Sequence, residues 1–223
     1  MRSELLVFLK APRVGAVKTR LASDIGDELA VAMYRGLARA VLNATMPVSR
    51  DGFSRVLCFA PRDAAPEIAG WVGDEILEPQ SEGDLGARID EAFANSFARG
   101  STKTVIIGTD SLDVNRTAVE EAFQALDHAD VVIRAAEDGG YTLIGLTKRQ
   151  AALFTNIAWS TGTVLSQTLA RAATAGLRVE SGGPDADIDD LAGLRRHWAR
   201  LAPLLNADVA RRIEGAAFST PPA

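Results

Sequence analysis

The stretch that decides the fold is Val105-Ile-Ile-Gly-Thr-Asp-Ser-Leu-Asp-Val114, in which an apolar run ends at a glycine and two carboxylates follow. Carboxylates are not expected within a buried strand, whereas the carboxyl end of a strand in an α/β sheet is where ligands bind. The carboxylate oxygens of Asp110 and Asp113 suit a hard cation such as Mg²⁺, which one or two carboxylates and phosphate oxygens commonly hold. The alternative is a solvated loop in which Asp110 or Ser111 caps the next helix.

The composition is that of an ordinary globular chain, with 223 residues of which 47% are hydrophobic and 24% charged. A formal net charge of −5 argues against a general nucleic-acid binder, so an anionic ligand must meet a local basic patch. The single cysteine, Cys58, excludes an internal disulfide framework and indicates a reducing cytoplasm. No apolar run approaches a membrane span, and the short run Leu5–Leu9 is interpreted as a strand rather than a signal peptide.

Strand-like runs alternate with helical patterns along the chain, which predicts an α/β fold with a mostly parallel sheet and helices on both faces. One connection, Glu137–Gly140, is too short for a parallel crossover, so the strand after it is expected to run antiparallel. The predicted strands are Leu5–Leu9, Val56–Ala60, Glu75–Leu77, Thr104–Ile107, Val131–Arg134, Tyr141–Leu146 and Leu177–Glu180.

The helical patterns include Asp27–Thr45, where Leu29, Met33, Leu37 and Val41 recur every four residues as one helix face requires. We expect one domain over residues 1–205, followed by a peripheral helix and tail over 206–223. The other predicted helices are Ala64–Trp71, Leu85–Ala98, Thr117–Leu126, Gly162–Ala175, Asp190–Leu201 and Ala207–Ala217.

A basic loop follows the first predicted strand and gathers four cations around Gly15 in an otherwise acidic chain. A loop at this position can cradle a polyphosphate, with lysine as a point charge and arginine as a fork for phosphate oxygens. The spacing of a P-loop is absent, and a solvated basic loop is the alternative. The four cations are Lys10, Arg13, Lys18 and Arg20.

Two glycine-containing turns are further candidates for ligand contact. In Gly83-Asp84-Leu85-Gly86, backbone amides at the start of a helix can approach a ligand closely. The alternative is that Asp84 is the N-cap of this helix, which explains half of the residue pattern without a ligand. In Asp138-Gly139-Gly140, a turn between strands offers a flat surface for an acceptor, with the Asp138 carboxylate available to hydroxyl groups. Trp159 is a candidate for the same acceptor side, with a core position as the alternative.

An acidic segment, Asp185-Ala-Asp-Ile-Asp-Asp-Leu191, follows the last predicted strand. Four carboxylates so close repel one another unless a cation or a helix N-terminus offsets their charge. We expect Asp189 to cap the following helix. Asp187 is then a second candidate metal ligand, facing Asp110 if the last strand adjoins that region.

Six sequence blocks, taken together and in order, resemble bacterial nucleotide-diphospho-sugar transferase-like proteins, or glycosyltransferases related to phospholactate guanylyltransferase. The resemblance covers roughly residues 4–197. The blocks are FLKAPRVGAVKTRL (8–21), GDLGARI (83–89), IGTDSLDV (107–114), EDGGYTLIGL (137–146), WSTGTVLSQTLARA (159–172) and DADIDDL (185–191).

The resemblance implies a GT-A type, Rossmann-like nucleotide-binding domain with a mixed sheet. It also implies Mg²⁺ or Mn²⁺ on Asp110, completed by Asp187 or Asp189, with Lys18 and Arg20 facing phosphates. Asp110, Lys18 and Arg20 would then be the catalytic residues. The expected nucleotide-binding residues are Lys10, Gly15, Lys18, Arg20, Gly83, Leu85 and Gly86, and the expected acceptor-binding residues are Asp138, Gly139, Gly140 and Trp159.

Two reactions fit a nucleotide or nucleotide sugar held by a metal ion beside a small-molecule acceptor. Attack at the α-phosphorus gives nucleotidylyl transfer, which the basic loop favours slightly, and attack at a sugar carbon gives glycosyl transfer. A non-catalytic nucleotide-binding protein is a third hypothesis, and a homo-oligomer is compatible with all three. A hydrolase with a histidine base is disfavoured because neither His128 nor His197 lies in a catalytic motif.

Overall fold

The structure is a computed structural model that describes residues 2–48 and 52–218. In this part of the chain, seven strands form one sheet in the order β3-β2-β1-β4-β6-β5-β7. All are parallel except β6, which runs antiparallel to both of its neighbours. The strands are β1 (Ser3–Lys10), β2 (Ser54–Ala60), β3 (Leu77–Pro79), β4 (Lys103–Ile107), β5 (Val131–Ala136), β6 (Tyr141–Leu146) and β7 (Val179–Asp185).

Eight α-helices connect or follow these strands within the described ranges. Three short 3₁₀ helices lie at Arg62–Ala64, Ala151–Leu153 and Ala202–Leu204. The α-helices are α1 (Thr19–Ile25), α2 (Asp27–Ala44), α3 (Ala65–Val72), α4 (Leu85–Ala98), α5 (Arg116–Ala125), α6 (Val164–Thr174), α7 (Leu191–Leu201) and α8 (Ala207–Phe218).

The two faces of the sheet are covered by different helices, because successive strand residues point to opposite sides. Leu5 and Val7 of β1 belong to one buried cluster, together with side chains of α1, α2, α3, α5, α7 and α8. Leu6 belongs to a second cluster, which α4 and α6 cover. The predicted α/β class, the mostly parallel mixed sheet and the helices on both faces are confirmed.

Several predicted elements have the expected bounds, and others do not. Helix α4 and strand β6 occur at the predicted residues, and β6 has the predicted antiparallel direction. Strand β7 begins later than predicted and extends to Asp185. Most of its side chains are exposed and its backbone pairs with β5, so the strand carries no apolar pattern for sequence analysis to detect.

Two helices differ from expectation. Helix α1 lies in the basic block and was not predicted, because it has only seven residues and its N-cap residue makes no side-chain cap. Helix α8 lies in the segment expected to be peripheral, yet its Ile213 and Ala217 are fully buried in the larger core cluster. The expected tail at 219–223 lies outside the described residues.

Among residues 2–48 and 52–218, no helix is both long enough and apolar enough to cross a membrane.

The topology of the sheet brings several loops together at one edge. The carboxyl ends of the parallel strands and the start of β6 meet at the same edge of the sheet. Loops from distant parts of the sequence therefore converge there.

Candidate active site

Two adjoining cavities open at the carboxyl edge of the sheet. The larger cavity, of about 690 Å³, is lined by Lys10 and by residues around Lys18, Gln80 and Leu85. The smaller cavity, of about 490 Å³, is lined by the turn after β5 and by residues 159–162. Three charged residues line both cavities and so mark their boundary: Arg20, Asp110 and Asp189. Both volumes are in the range of small-molecule sites.

A lysine between two carboxylates forms the centre of this boundary. The Nζ atom of Lys18 lies 2.6 Å from Oδ1 of Asp110 and 2.5 Å from Oδ1 of Asp189. The Lys18 side chain is 3% exposed, whereas the two carboxylates are 46% and 49% exposed. Asp110 follows β4 and Asp189 follows β7, so the folded chain brings together three segments that are far apart in sequence.

Electrostatics keep this lysine charged although it is buried. Burial by itself would lower the pKa of the Lys18 ammonium, but the charges of Asp110 and Asp189 outweigh it and raise the pKa above the usual value. The Lys18 backbone adopts a left-handed conformation, with φ of 48°, immediately before α1. A non-glycine residue in this region is strained, and such strain commonly occurs at functional sites.

The four cations of the basic loop have different environments. Arg13 lies away from both cavities and pairs with Glu67 at 2.8 Å and Asp63 at 3.4 Å on the surface. Lys10 and Arg20 are exposed, line the larger cavity and form no ion pair among the described residues. Gly15 has φ of 74° and allows the loop to turn. The loop therefore presents two cations to the larger cavity in addition to the paired Lys18.

The turn before α4 also borders the larger cavity. Oδ1 of Asp84 accepts a hydrogen bond from the Ala87 amide at 2.8 Å, which confirms the N-cap. Gly83 and Leu85 line the cavity. Gly86 is buried against other protein groups instead, since an added Cβ would lie 2.5 Å from the Phe154 carbonyl oxygen. Its lack of a side chain is thus explained by packing.

The four acids of the segment 185–190 separate into different environments. Asp185 is buried and accepts two hydrogen bonds from Arg134, at 2.9 and 2.6 Å. Asp190, and not Asp189 as expected, is the N-cap of α7, accepting from the Gly193 amide at 2.8 Å. Asp189 is thereby available to Lys18, and Asp187 lines the smaller cavity.

Asp187 lies among other acids. Burial first, and then the negative charges of Asp138, Asp189 and Asp110, raise the pKa of Asp187 to about 7. Strand β7 does not adjoin β4, because β6 and β5 lie between them. The segment after β7 nevertheless reaches the Asp110 loop, where the Ile188 amide donates to the Asp110 carbonyl oxygen at 3.2 Å.

Asp113, the second acid of the opening motif, joins three elements of the fold. Its carboxylate accepts from the Ala186 amide at 2.9 Å and from Arg200 of α7 at 2.7 Å. Burial acts to raise the pKa of Asp113, but these hydrogen bonds outweigh it and hold the pKa below the usual value. The helix that follows is capped by Asn115, so neither Asp110 nor Ser111 is its cap.

The expected acceptor residues lie at or beside the smaller cavity. Asp138 and Gly140 line it, and Asp138 also accepts from the Gly140 amide at 2.9 Å, as in the predicted turn. Gly139, with φ of 87°, packs against the backbone of Gly162, which leaves no room for a side chain. Trp159 both lines the cavity and packs edge-on against Tyr141, with ring centroids 6.4 Å apart.

The arrangement of Asp110 and Asp189 fits a cation. Among the described residues, no three His, Cys, Asp or Glu side chains are grouped as a metal site by themselves. However, the two carboxylates already converge on one positive charge, the Lys18 ammonium. Because Mg²⁺ commonly takes only one or two carboxylates and completes its coordination with water and phosphate oxygens, this donor set suits an ion that binds with a nucleotide.

Sequence analysis did not assign several residues that line the larger cavity, among them Tyr34, Gln80 and Arg88. The Tyr34 hydroxyl accepts from the Lys10 amide at 2.9 Å and donates to the Lys10 carbonyl oxygen at 3.1 Å. Tyr34 lies within a helix with an ordinary apolar pattern, so no local signal distinguishes it. Gln80 and Arg88 lie on either side of the glycine-containing turn Gly83–Gly86. Their closeness to this turn in the sequence was the one signal that could have identified them.

Comparison with solved structures defines the class of protein. A crystal structure from Desulfovibrio desulfuricans G20, described as a candidate nucleotide-diphospho-sugar transferase, has 28% identity and a TM-score of 0.80, covering 92% of this chain and 99% of that one. CMP:2-keto-3-deoxy-manno-octonic acid synthetase complexed with CTP has 12% identity and a TM-score of 0.55, covering 92% and 100%. The chain therefore has the fold of nucleotide-sugar and nucleotidyl transferases.

The family is established by sequence. Residues 43–161, more than half of the chain, match the DUF2064 family, which is described as uncharacterized proteins conserved in bacteria. The chain belongs to this family. A third solved structure, Rv0371c from Mycobacterium tuberculosis H37Rv in complex with manganese, has 15% identity and a TM-score of 0.50, covering 88% and 97%. No curated protein sequence matches the chain.

Proposed function

We propose that this protein is a metal-dependent transferase that binds a nucleotide donor in the larger cavity and a small acceptor in the smaller one. The observation that carries the proposal is the contact of Lys18 with both Asp110 and Asp189 at the boundary of the two cavities. A reacting phosphate or sugar placed at this boundary would lie between its donor and acceptor sites. Such positioning supplies much of the catalysis in phosphoryl transfer.

The donor's phosphates would be bound by Lys10, Arg20 and Arg88 around the larger cavity. Lys10 and Arg20 form no ion pair among the described residues, so their charges are available to a ligand. Lys18 would join them if a cation replaced it between the two carboxylates. Gly83 and Leu85 would contact the nucleoside part, whereas Gly86 would act through packing of α4.

A divalent ion, Mg²⁺ or Mn²⁺, would be held by Asp110 and Asp189, with Asp187 beside them. Such an ion would neutralise charge on the phosphate oxygens of the donor. Asp187 supports this assignment because its carboxylate lies in a concentration of negative charge that a cation would relieve. The manganese complex of a protein with a similar fold is further support.

Nucleotidylyl transfer to a hydroxyl group is the first candidate reaction. Besides Lys18, three cations line the larger cavity near the metal-binding carboxylates, and this excess of positive charge suits a triphosphate. Asp138 would accept a hydrogen bond from the acceptor's hydroxyl group in the smaller cavity. Glycosyl transfer is the second candidate, favoured by the description of the Desulfovibrio protein, whose structure aligns over 99% of its length.

The test begins with thermal shift against nucleoside triphosphates and nucleotide sugars, with and without Mg²⁺ or Mn²⁺. A triphosphate that stabilises the protein is then supplied with a label at the α-phosphorus, and a stabilising nucleotide sugar is supplied with a label in its transferable sugar, each with a set of small hydroxyl-bearing acceptors. Transfer of the phosphorus label with release of pyrophosphate indicates nucleotidylyl transfer. Transfer of the sugar label with release of nucleoside diphosphate indicates glycosyl transfer, and binding without either product would refute catalysis.

A further inference from the structure

The smaller cavity differs from the larger one in its charge. Among the described residues, Arg20 is the single cation that lines the smaller cavity, whereas four lysine and arginine side chains line the larger one. Four carboxylates also line the smaller cavity, from the segments that follow β4, β5 and β7. They are those of Asp110, Asp138, Asp187 and Asp189. The lining of the smaller cavity therefore carries an excess of negative charge.

The four carboxylates are close enough to act on one another. Burial first, and then the charges of Asp138, Asp189 and Asp110, raise the pKa of Asp187 to about 7. Lys18 offsets part of the charge of Asp110 and Asp189 from the side of the larger cavity. Within residues 2–48 and 52–218, Asp138 and Asp187 form no ion pair. Their side of the cavity is thus where negative charge is least balanced.

An anionic group of an acceptor would find no cation of its own in this cavity. Arg20 lies at the boundary and lines both cavities, so the donor's phosphates would occupy it. A metal ion on Asp110 and Asp189 does not reverse the balance, because the phosphates that it binds carry at least as much charge as the ion neutralises. A carboxylate or phosphate placed among these acids would be repelled and unpaired, which costs free energy.

The rest of the lining suits hydroxyl or ammonium groups on a ring or short chain. Oδ1 of Asp138 accepts from the Gly140 amide at 2.9 Å, and the exposed carboxylate keeps its second oxygen for a ligand. Carboxylate oxygens accept hydrogen bonds from hydroxyl and ammonium groups alike. Trp159 adds an aromatic surface to the same wall, and aromatic rings attract cations.

We propose that the smaller cavity binds an uncharged or amino-bearing polyol or sugar and excludes acceptors that carry a phosphate or carboxylate group. The inference rests on the proposed function, because that function makes this cavity the acceptor site. It goes further by naming the charge class of the acceptor. The same class applies to nucleotidylyl transfer and to glycosyl transfer, since the lining of the cavity is common to both.

Thiol labelling measures the charge preference of the cavity before any acceptor is known. Thr161 is exposed and lines only the smaller cavity, and the single native cysteine, Cys58, is buried. Thr161→Cys is reacted with two methanethiosulfonates, one bearing a trimethylammonium group and the other a sulfonate. Each rate is divided by the rate of the same reagent with 2-mercaptoethanol. The normalised rate should be about tenfold higher for the cation, because a cleft lined by one sign of charge concentrates counter-ions.

Three controls show whether the lining causes the preference. Thr174→Cys, an exposed threonine in α6 outside both cavity linings, should show no preference for the cation. Asp138→Asn in the Thr161→Cys protein should lower the ratio, and about 1 M salt should largely abolish it by screening. A change in the thiol's own reactivity acts on both reagents and cancels in the ratio. A ratio of about one at Thr161→Cys, or faster reaction with the anion, would overturn the inference.

An acceptor series separates this inference from the proposed function. Glucosamine, glucose and glucuronate share a ring but differ in charge, and glycerol is paired with glycerol phosphate in the same way. With donor and metal bound, product is expected only from acceptors without an anionic group. Product from glucuronate or glycerol phosphate would overturn the inference while supporting a transferase. If the labelling ratio holds but no compound gives product, catalysis is refuted, whereas the cavity is still a site for uncharged or cationic ligands.

Discussion

Lys18 and Asp189 are 171 residues apart in sequence, yet the Lys18 ammonium lies 2.5 Å from the Asp189 carboxylate. Asp110 contacts the same ammonium at 2.6 Å. A buried lysine thus occupies the point where two half-exposed carboxylates converge. A divalent ion entering this point would compete with the lysine, which would then be released toward the larger cavity.

The first prediction concerns the competition at this point. Asp110→Asn should abolish the additional thermal stabilisation that Mg²⁺ provides in the presence of nucleotide, because one of the two converging carboxylates is lost. The fold should persist, since the Asp110 side chain is half exposed. Asp63→Asn, an exposed acid near Arg13, is the control and should respond to metal as the wild type does. An unchanged metal response in Asp110→Asn would remove Asp110 from the site.

The basic loop provides a second prediction with an internal control. Arg20→Ala should weaken triphosphate binding by about 1.5–3 kcal/mol, the usual contribution of a hydrogen bond to a charged group. Binding of the nucleoside alone should change little. Arg13→Ala removes a cation from the same loop, but Arg13 pairs with Glu67 and Asp63 outside the cavities. Calorimetry that finds equal losses for both variants would indicate only a general effect of charge.

The pH dependence of stability tests the environment of Asp187. The pKa of Asp187 is raised from 3.8 to about 7, so the folded protein binds more protons than the unfolded chain between these values. The free energy of unfolding should therefore fall as the pH rises through this window. Asp187→Asn, which mimics the protonated carboxyl, should match the wild type at about pH 5 and exceed its stability at about pH 8. Denaturant unfolding at both pH values measures this, and a variant that is less stable at the higher pH would contradict it.

Packing of α4 gives a fourth prediction. Gly86→Ala should destabilise the fold by about 1–3 kcal/mol, since the new methyl group would overlap the Phe154 carbonyl oxygen and the Trp159 ring. Gly70→Ala is the matched control, because Gly70 lies in α3 with open space around it. Alanine there should stabilise the helix by about 0.5–1 kcal/mol. Thermal and denaturant unfolding measure the stability of both variants. If both are as stable as the wild type, the close contact at Gly86 does not limit the size of the residue there.

The sequence by itself determined the elements whose signal is local. Apolar runs and four-residue spacing placed most strands and helices, and the short connection Glu137–Gly140 predicted the antiparallel strand β6. The N-cap at Asp84 was also predictable, because it depends only on residues within one turn. Periodicity and capping act between near neighbours, so a single sequence expresses them directly.

Only the tertiary structure decided how the charged residues are paired. The four acids of residues 185–190 look equivalent in sequence, but they become an ion-pair partner of Arg134, a cavity residue, a partner of Lys18 and a helix cap. In the same way, Arg13 and Arg20 differ only in where the folded chain directs them. Side-chain pairing depends on which distant segments meet at the edge of the sheet, and that arrangement has no local sequence pattern.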